Sequence, residues 1–326
     1  MNSLFPLFDS DEDRPPLARR LAPRLQTLAE QGIYFGTSSW KYPGWLGAIY
    51  SQDRYETRGA FSKKKFDEHC LEEYAETFPT VCGDFAFYQF PSPPFWARLF
   101  GALPSSFQLA LKVPEEITVV RWPGHARYGT RAGTDNTHFL SVDLLKTLFL
   151  RRLAPYADRV AVLIFEFGTF AKRDFPDPDA FLERLAPFLG ALPEGFRYAV
   201  EIRNPEYLTP EYLSLLNAHG VAHVLNAWTR MPELGAQIEL PGVLDAGFTV
   251  VRALLTKGRG YEDAVQSFEP YDRIQQPNPA VRSALVQVAR QALTRKAPAF
   301  LYVNNRLEGH SPGTIEAVTE QLVPEP

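Results

Sequence analysis

Within the stretch VEIRNP, Glu201 and Arg203 stand two residues apart in an otherwise apolar run. Alternate residues of a strand share a face, so these two charges point one way while Val200 and Ile202 point the other. A carboxylate beside a guanidinium can clasp an anion and move a proton, and it can equally neutralise itself as an internal ion pair, because buried charges must be paired. The run VAVLIFEF poses the same question: Val162, Ile164 and Glu166 share a face, so Glu166 ends an apolar column. Desolvation there would raise its pKa and suit it to acid/base work, unless it serves only as a counter-ion for Lys112 or Arg203.

Other apolar runs also end on polar or aromatic residues: Ser38 and Trp40, Asp84 and Tyr88, Lys112, Asn226 and Trp228, Arg252, and Asn304 with Asn305. This pattern makes Glu201, Glu166 and Lys112 the catalytic candidates. Arg203, Arg252, Trp40, Tyr88, Asp84, Asn226, Asn304 and Asn305 are the ligand-binding candidates: the guanidinium groups suit phosphate or carboxylate, and the two consecutive asparagines suit hydroxyls. In GTSSWKYPGWLGAIY, Gly36 is expected to let the chain turn tightly at the end of the first strand. Trp40, Tyr42, Trp45 and Tyr50 then either wall a pocket or simply roof the core.

Positioning such residues takes a scaffold that gathers strand ends. Eight short runs rich in Val, Ile, Phe and Tyr start near residues 33, 80, 107, 160, 197, 221, 248 and 299, and amphipathic segments separate most of them. That alternation predicts an α/β fold, a (β/α)8 TIM-type barrel, whose chemistry sits at the carboxyl ends of its strands. The unit after strand six reads as degenerate. Long insertions follow strands three and seven, and an extra helix is expected over about Leu17 to Glu30. The domain reading is an extension over 1–32 and one barrel domain over 33–326. A doubly wound sheet competes, but no Gly-x-Gly-x-x-Gly follows any strand.

The same sequence narrows the function classes. A formal charge of −4 offers no global attraction to phosphate backbones or anionic lipid. The dense basic run Lys63-Lys64-Lys65 reads as a solvated loop before a helix. Cys70 and Cys82 make neither a disulfide framework nor a zinc signature, which favours a reducing cytoplasm. The acidic, proline-punctuated start is unlike a secretory signal, and no apolar block is long enough to span a bilayer, so no membrane association is expected. The six histidines form no ligand cluster, and neither a phosphate loop nor a nucleophile elbow occurs, so neither a metal nor a cofactor is expected.

The ordered motifs GTSSWKYPGW, FYQFPSPPFW, LKVPEEIT, VEIRNPEYL, the VVR of strand seven and YVNN resemble those of the YecE-like family, catalogued as domain of unknown function number seventy-two. The resemblance runs from about Ile33 to Val318. It implies a TIM-type barrel in a bacterial cytoplasmic protein without an established activity. It also places Trp40, Trp45, Tyr50, Phe87, Tyr88, Lys112, Glu201, Arg203, Arg252, Asn304 and Asn305 where that family has recurring residues. Cys82 and Asn226 stand where acidic residues are expected, Val119 where His is expected, and Glu166-Phe167-Gly168-Thr169 replaces Gln-Leu-Pro-Pro.

The leading expectation is a hydrolase or isomerase acting on an anionic, ring-containing small molecule such as a sugar phosphate or nucleotide fragment. Nucleic-acid binding or processing, suggested by Lys63 to Lys65, Arg121, Arg127 and Arg131, is one alternative. A non-catalytic ligand-binding protein is the other.

Overall fold

The computed structural model describes residues 14–323. Its centre is a closed barrel of eight parallel strands: β1 (Ile33–Thr37), β2 (Thr80–Gly83), β3 (Gln108–Lys112), β4 (Val160–Glu166), β5 (Tyr198–Glu201), β6 (Ala222–Ala227), β7 (Thr249–Ala253) and β8 (Ala299–Val303). Each pairs with its sequence neighbours, and β1 closes the ring by pairing with both β8 and β2. The expected eight runs therefore become the eight strands. Alternation sorts their side chains: Val162, Ile164, Ala199, Val224, Val250, Phe300 and Tyr302 pack inside the barrel. Val200, Ile202, Leu163 and Leu301 face the helix layer.

Helices Lys63–Thr77, Pro93–Gly101, Pro178–Gly190, Pro210–Ala218, Pro279–Arg295 and Ser311–Thr319 supply most of the outer ring. Five of these have proline in the first turn, where its missing N–H costs nothing. The unit after β6 is reduced to the five-residue helix Leu234–Ile238, as its loop-like sequence suggested. Helix Pro16–Glu30 packs against β1 and against helices Lys63–Thr77 and Ser311–Thr319, close to the span expected from sequence. Residues 1–13, the rest of the expected extension apart from its junctions, lie outside the described residues.

At two places the chain differs from what its sequence suggests. Lys63 to Lys65 are not a loop before the helix but its first turn, because the Ser62 side chain accepts from the Lys65 N–H and caps it. Asp67 and Glu68, one turn on, lie 2.7 and 4.0 Å from Lys63 and Lys64 and offset basic charge at the helix start. Gly36 is not at a turn. It lies within β1, where a Cβ would sit 2.1 Å from the Thr80 carbonyl oxygen, so glycine is needed for the close approach of β1 and β2.

The connections after β3 and β7 contain secondary structure. The first includes helix Glu115–Thr118 and the 3-10 segment Ala126–Arg131, and Asn136 Nδ2 ties its ends together by donating to the Glu116 and Val119 carbonyls at 2.8 and 2.7 Å. The second includes helix Tyr261–Phe268. Among the described residues, no helix is long and apolar enough to cross a membrane.

Candidate functional site

At the carboxyl ends of β3, β4, β5 and β7, five charged side chains converge. Glu201 closes β5 and is 0 % exposed; Arg203 follows it on the same face, with its Nη2 2.6 Å from Glu201 Oε1. Arg252 enters from β7 and its Nη1 donates to both Glu201 Oε2 and Glu166 Oε2. Glu166, at the end of β4, also lies 3.4 Å from Arg203 Nη2 and accepts from Lys112 Nζ of β3 at 3.4 Å. The inward column expected for β4 and the shared face expected for Glu201 and Arg203 are thus both present.

Three cations face two carboxylates, which leaves the cluster with one net positive charge. It is mostly out of water: the Arg203 and Arg252 side chains are each 7 % exposed, while Glu166 is the more accessible carboxylate at 17 %. Burial by itself pushes Glu166 up, but Lys112, Arg252 and Arg203 outweigh it and hold its carboxyl well below the ordinary range. The expected upward shift of Glu166 is therefore reversed, because closure of the barrel surrounds it with three cations. For Arg252, burial disfavours the charge, but Glu201 and Glu166 outweigh burial and keep the guanidinium firmly protonated.

Aromatic rings flank the cluster. Lys112 Nζ sits 3.8 Å from the centre of the Phe87 ring, and the Arg203 guanidinium lies 3.9 Å from that of Trp228. Neither ring was among the ligand-binding candidates. Their signal was their place in the strand-end segments FAFY and LNAW, which aromatic residues at core positions share.

The remaining candidates divide. Asn226, inward on β6, is buried; its Nδ2 donates to the Ile202 and Val224 carbonyls, both at 3.2 Å, and its Oδ1 has no partner. Asn304 caps the turn Asn305–Glu308 by accepting from the Arg306 N–H, and Asn305 Oδ1 accepts from the Ser311 N–H and hydroxyl at 2.7 and 2.8 Å. Both asparagines thus have a local structural use for their carbonyl oxygens. Tyr88 is exposed and carries the Arg127 guanidinium 4.4 Å from its ring centre.

Trp40 and Asp84 instead line a groove of about 720 Å³ with Phe85, Phe95, Leu99 and His69, between helices Lys63–Thr77 and Pro93–Gly101. They are not among the five-charge cluster's contacts. Trp45 and Tyr50 are buried among Tyr42, Tyr55, Phe66 and His310, so this part of the aromatic stretch roofs the core.

Beneath the charges lies Cys82, whose thiol burial pushes up to about 11, although Arg252 and Lys112 pull the other way. That keeps it protonated at neutral pH. Among the described residues, no three His, Cys, Asp or Glu side chains gather as metal ligands.

Residues 34–326 match the family model described as "Protein of unknown function DUF72". The chain belongs to this family. It is 27% identical over 176 residues to the UPF0759 protein YecE of Escherichia coli strain K12, a match covering 54% of this chain and 50% of YecE. The match thus spans about half the length of that curated relative. The DUF72 barrel is also similar to two crystal structures of DUF72 family proteins, each 17% identical. One, TM1631 of Thermotoga maritima MSB8, has a TM-score of 0.58 and covers 89% of this chain and 98% of the other. The second, EF0366 of Enterococcus faecalis V583, has a TM-score of 0.57 and covers 90% and 96%. At this identity the two structures bear on the fold alone, which is the TIM-type barrel. Within the DUF72 barrel, Cys82, Asn226 and Glu166 all fall on inward positions of the strands that build the charge cluster or adjoin it.

Proposed function

We propose that the barrel mouth binds an anionic, ring-containing small molecule, such as a sugar phosphate or nucleotide fragment, and acts on it as a hydrolase or isomerase. The observation that carries this reading is the surplus cation: Lys112, Arg203 and Arg252 against Glu166 and Glu201, with Arg203 Nη1 buried and without a partner. A self-contained ion-pair network would balance its charges and satisfy its donors. An anion at the mouth supplies the missing charge and acceptor, and the flat faces of Phe87 and Trp228 suit a ring beside it.

In this reading Glu201 is a positioning residue, since both of its oxygens are engaged by arginines and it is out of solvent. Glu166 is the reacting carboxylate. It is the more accessible of the two carboxylates, and Lys112 Nζ lies 3.4 Å from it, so these two groups are the ones placed to meet the reacting part of a ligand. Nucleic acid is less well supported: in the long loop after β3, Arg121 faces Asp135, Arg127 faces Glu115, and Arg131 faces Glu116, so these cations already have acidic partners.

The test is a thermal-shift screen of phosphorylated sugars, nucleotides and sugar acids, with turnover of each hit followed by NMR. An anion that stabilises the wild type but not Arg203→Ala, and is converted more slowly by Glu166→Gln, supports the reading. Absence of stabilisation by every anion at millimolar concentration overturns it. A ligand that stabilises and is never converted makes this a binding protein.

A further inference from the structure

The anionic reading leaves open what else the ligand must carry, and Asn226 bears on that. Its Nδ2 is pinned by two backbone carbonyls, those of Ile202 and Val224 at 3.2 Å each. Turning the amide over would set its oxygen against two other oxygens, so the orientation is fixed by chemistry. Oδ1 is therefore a fixed, buried acceptor without a donor. On either side of β6 lie β5 and β7, so Asn226 stands between Arg203 and Arg252; with Arg252 it is also paired in register.

Each of these arginines has an unmatched N–H as well. Arg203 spends Nη2 on Glu201 and Glu166, and its Nη1 has no partner. Arg252 spends Nη1 on the same two carboxylates, and its Nε has none. Three adjacent strands thus present two charged donors with one neutral acceptor between them. Glu201 Oε1, 2.6 Å from Arg203 Nη2, also lacks a hydrogen bond, but it already has a cation beside it; a ligand that brings acceptors to the two guanidinium groups and a donor to the amide would match the other three together.

We propose that the ligand of this site is a hydroxylated anion: a phosphate or carboxylate whose oxygens meet Arg203 and Arg252, and whose own hydroxyl donates to Asn226 Oδ1. The inference rests on the anion-binding reading and narrows it. A flat anion without a hydroxyl leaves Asn226 unmatched, while a neutral polyol leaves the two guanidinium N–H groups unmatched. Asn226 is fully buried, so a ligand hydroxyl reaches Oδ1 only if binding opens the contacts around it. The contacts of Glu166 to Arg203 and Lys112, both 3.4 Å, are the loosest in the cluster, and an arriving anion competes with Glu166 for both cations.

The probes are matched pairs: glycerol 3-phosphate against propyl phosphate, and glycerate against propionate, with inorganic phosphate and glycerol as single-feature controls. Affinities are measured by calorimetry on the full-length wild type, Asn226→Ser and Arg203→Ala. The expected result is that one hydroxylated member binds at least about tenfold tighter than its deoxygenated partner, since a site built to bond a hydroxyl rejects the analogue lacking it. Which pair shows the preference separates phosphate from carboxylate. In Asn226→Ser the preference shrinks to about twofold or less, while Arg203→Ala weakens both members of the pair. Equal binding of the two members by the wild type overturns this inference and leaves the anion-binding reading standing. If neither member of either pair nor inorganic phosphate binds, this inference falls, and the screen of ring-containing anions decides the anion-binding reading separately. The wild-type comparison needs no variant, so it holds even where a substitution disturbs folding.

Discussion

Arg252 and Glu201 form an ion pair across the barrel mouth, from β7 to β5, and Glu201 has no exposure to solvent. The pair joins strands separated by β6 in the sheet, so it ties together two inward columns that no backbone hydrogen bond connects. Replacing Arg252 by Met strips Glu201 of one of its two cations and Glu166 of one of its three. The expected loss of stability is about 3 to 5 kcal/mol, the usual cost of breaking a buried pair from one side. Adding Glu201→Gln should recover more than half of it in denaturant unfolding; a loss below about 1 kcal/mol for Arg252→Met would mean water reaches the pair freely.

Arg203→Ala should behave differently, because Glu201 keeps Arg252. The expected stability loss is about 1 to 2 kcal/mol, between the values for exposed and buried pairs. Anion affinity should drop by more than tenfold, since a charge-assisted contact is lost. Chemical denaturation and ligand-induced stabilisation, run on the same preparation, separate the two effects. Severe unfolding with unchanged anion binding would mark Arg203 as part of the scaffold alone.

Acid should destabilise the fold through two histidines. Burial pushes both His223 and His310 down to about 4, with Asp272 partly opposing the shift at His310. Their folded pKa lies below the ordinary value of about 6.5, so the unfolded chain takes protons first. Stability is therefore lost as pH falls from about 6.5 to about 4, by up to about 1.4 kcal/mol per pH unit for each imidazole. His310 Nδ1 also caps the last helix by accepting from the Gly313 N–H at 3.2 Å. His310→Asn keeps a capping side chain and removes the titration, so its stability should fall less steeply over that window. An unchanged slope would show that His310 takes up no extra proton on unfolding.

At Gly36, a methyl group meets the Thr80 carbonyl oxygen, which belongs to the paired strand and cannot swing aside. Gly36→Ala should cost about 3 kcal/mol, as overpacking at a rigid contact does. Gly168→Ala is the control: nothing lies within 4 Å of its Cβ, and an effect within about 0.5 kcal/mol is expected. Thermal unfolding of the two variants side by side checks the pair.

Much of this protein is determined locally and was legible in the sequence. The eight strands follow from runs of branched and aromatic residues, and the inward aim of Glu166, Glu201 and Arg203 follows from the two-residue period of a strand. Those are properties of neighbours along the chain. What the sequence could not decide is who meets whom across the barrel, because that depends on closure and on the stagger of strands far apart in sequence. Closure brings Arg252 onto Glu201 from 51 residues away and onto Glu166 from 86 residues away. It thereby reverses the shift expected for Glu166: an isolated carboxyl at the end of an apolar column goes up, but three converging cations hold it down. Closure also separates residues that strand-end position alone grouped together. Trp40 and Asp84 end β1 and β2 beside a groove between two helices, while Phe87 and Trp228 take the places next to the charges. The sequence determined which side chains face inward; the tertiary structure decided their partners, and with them the charge that the mouth presents.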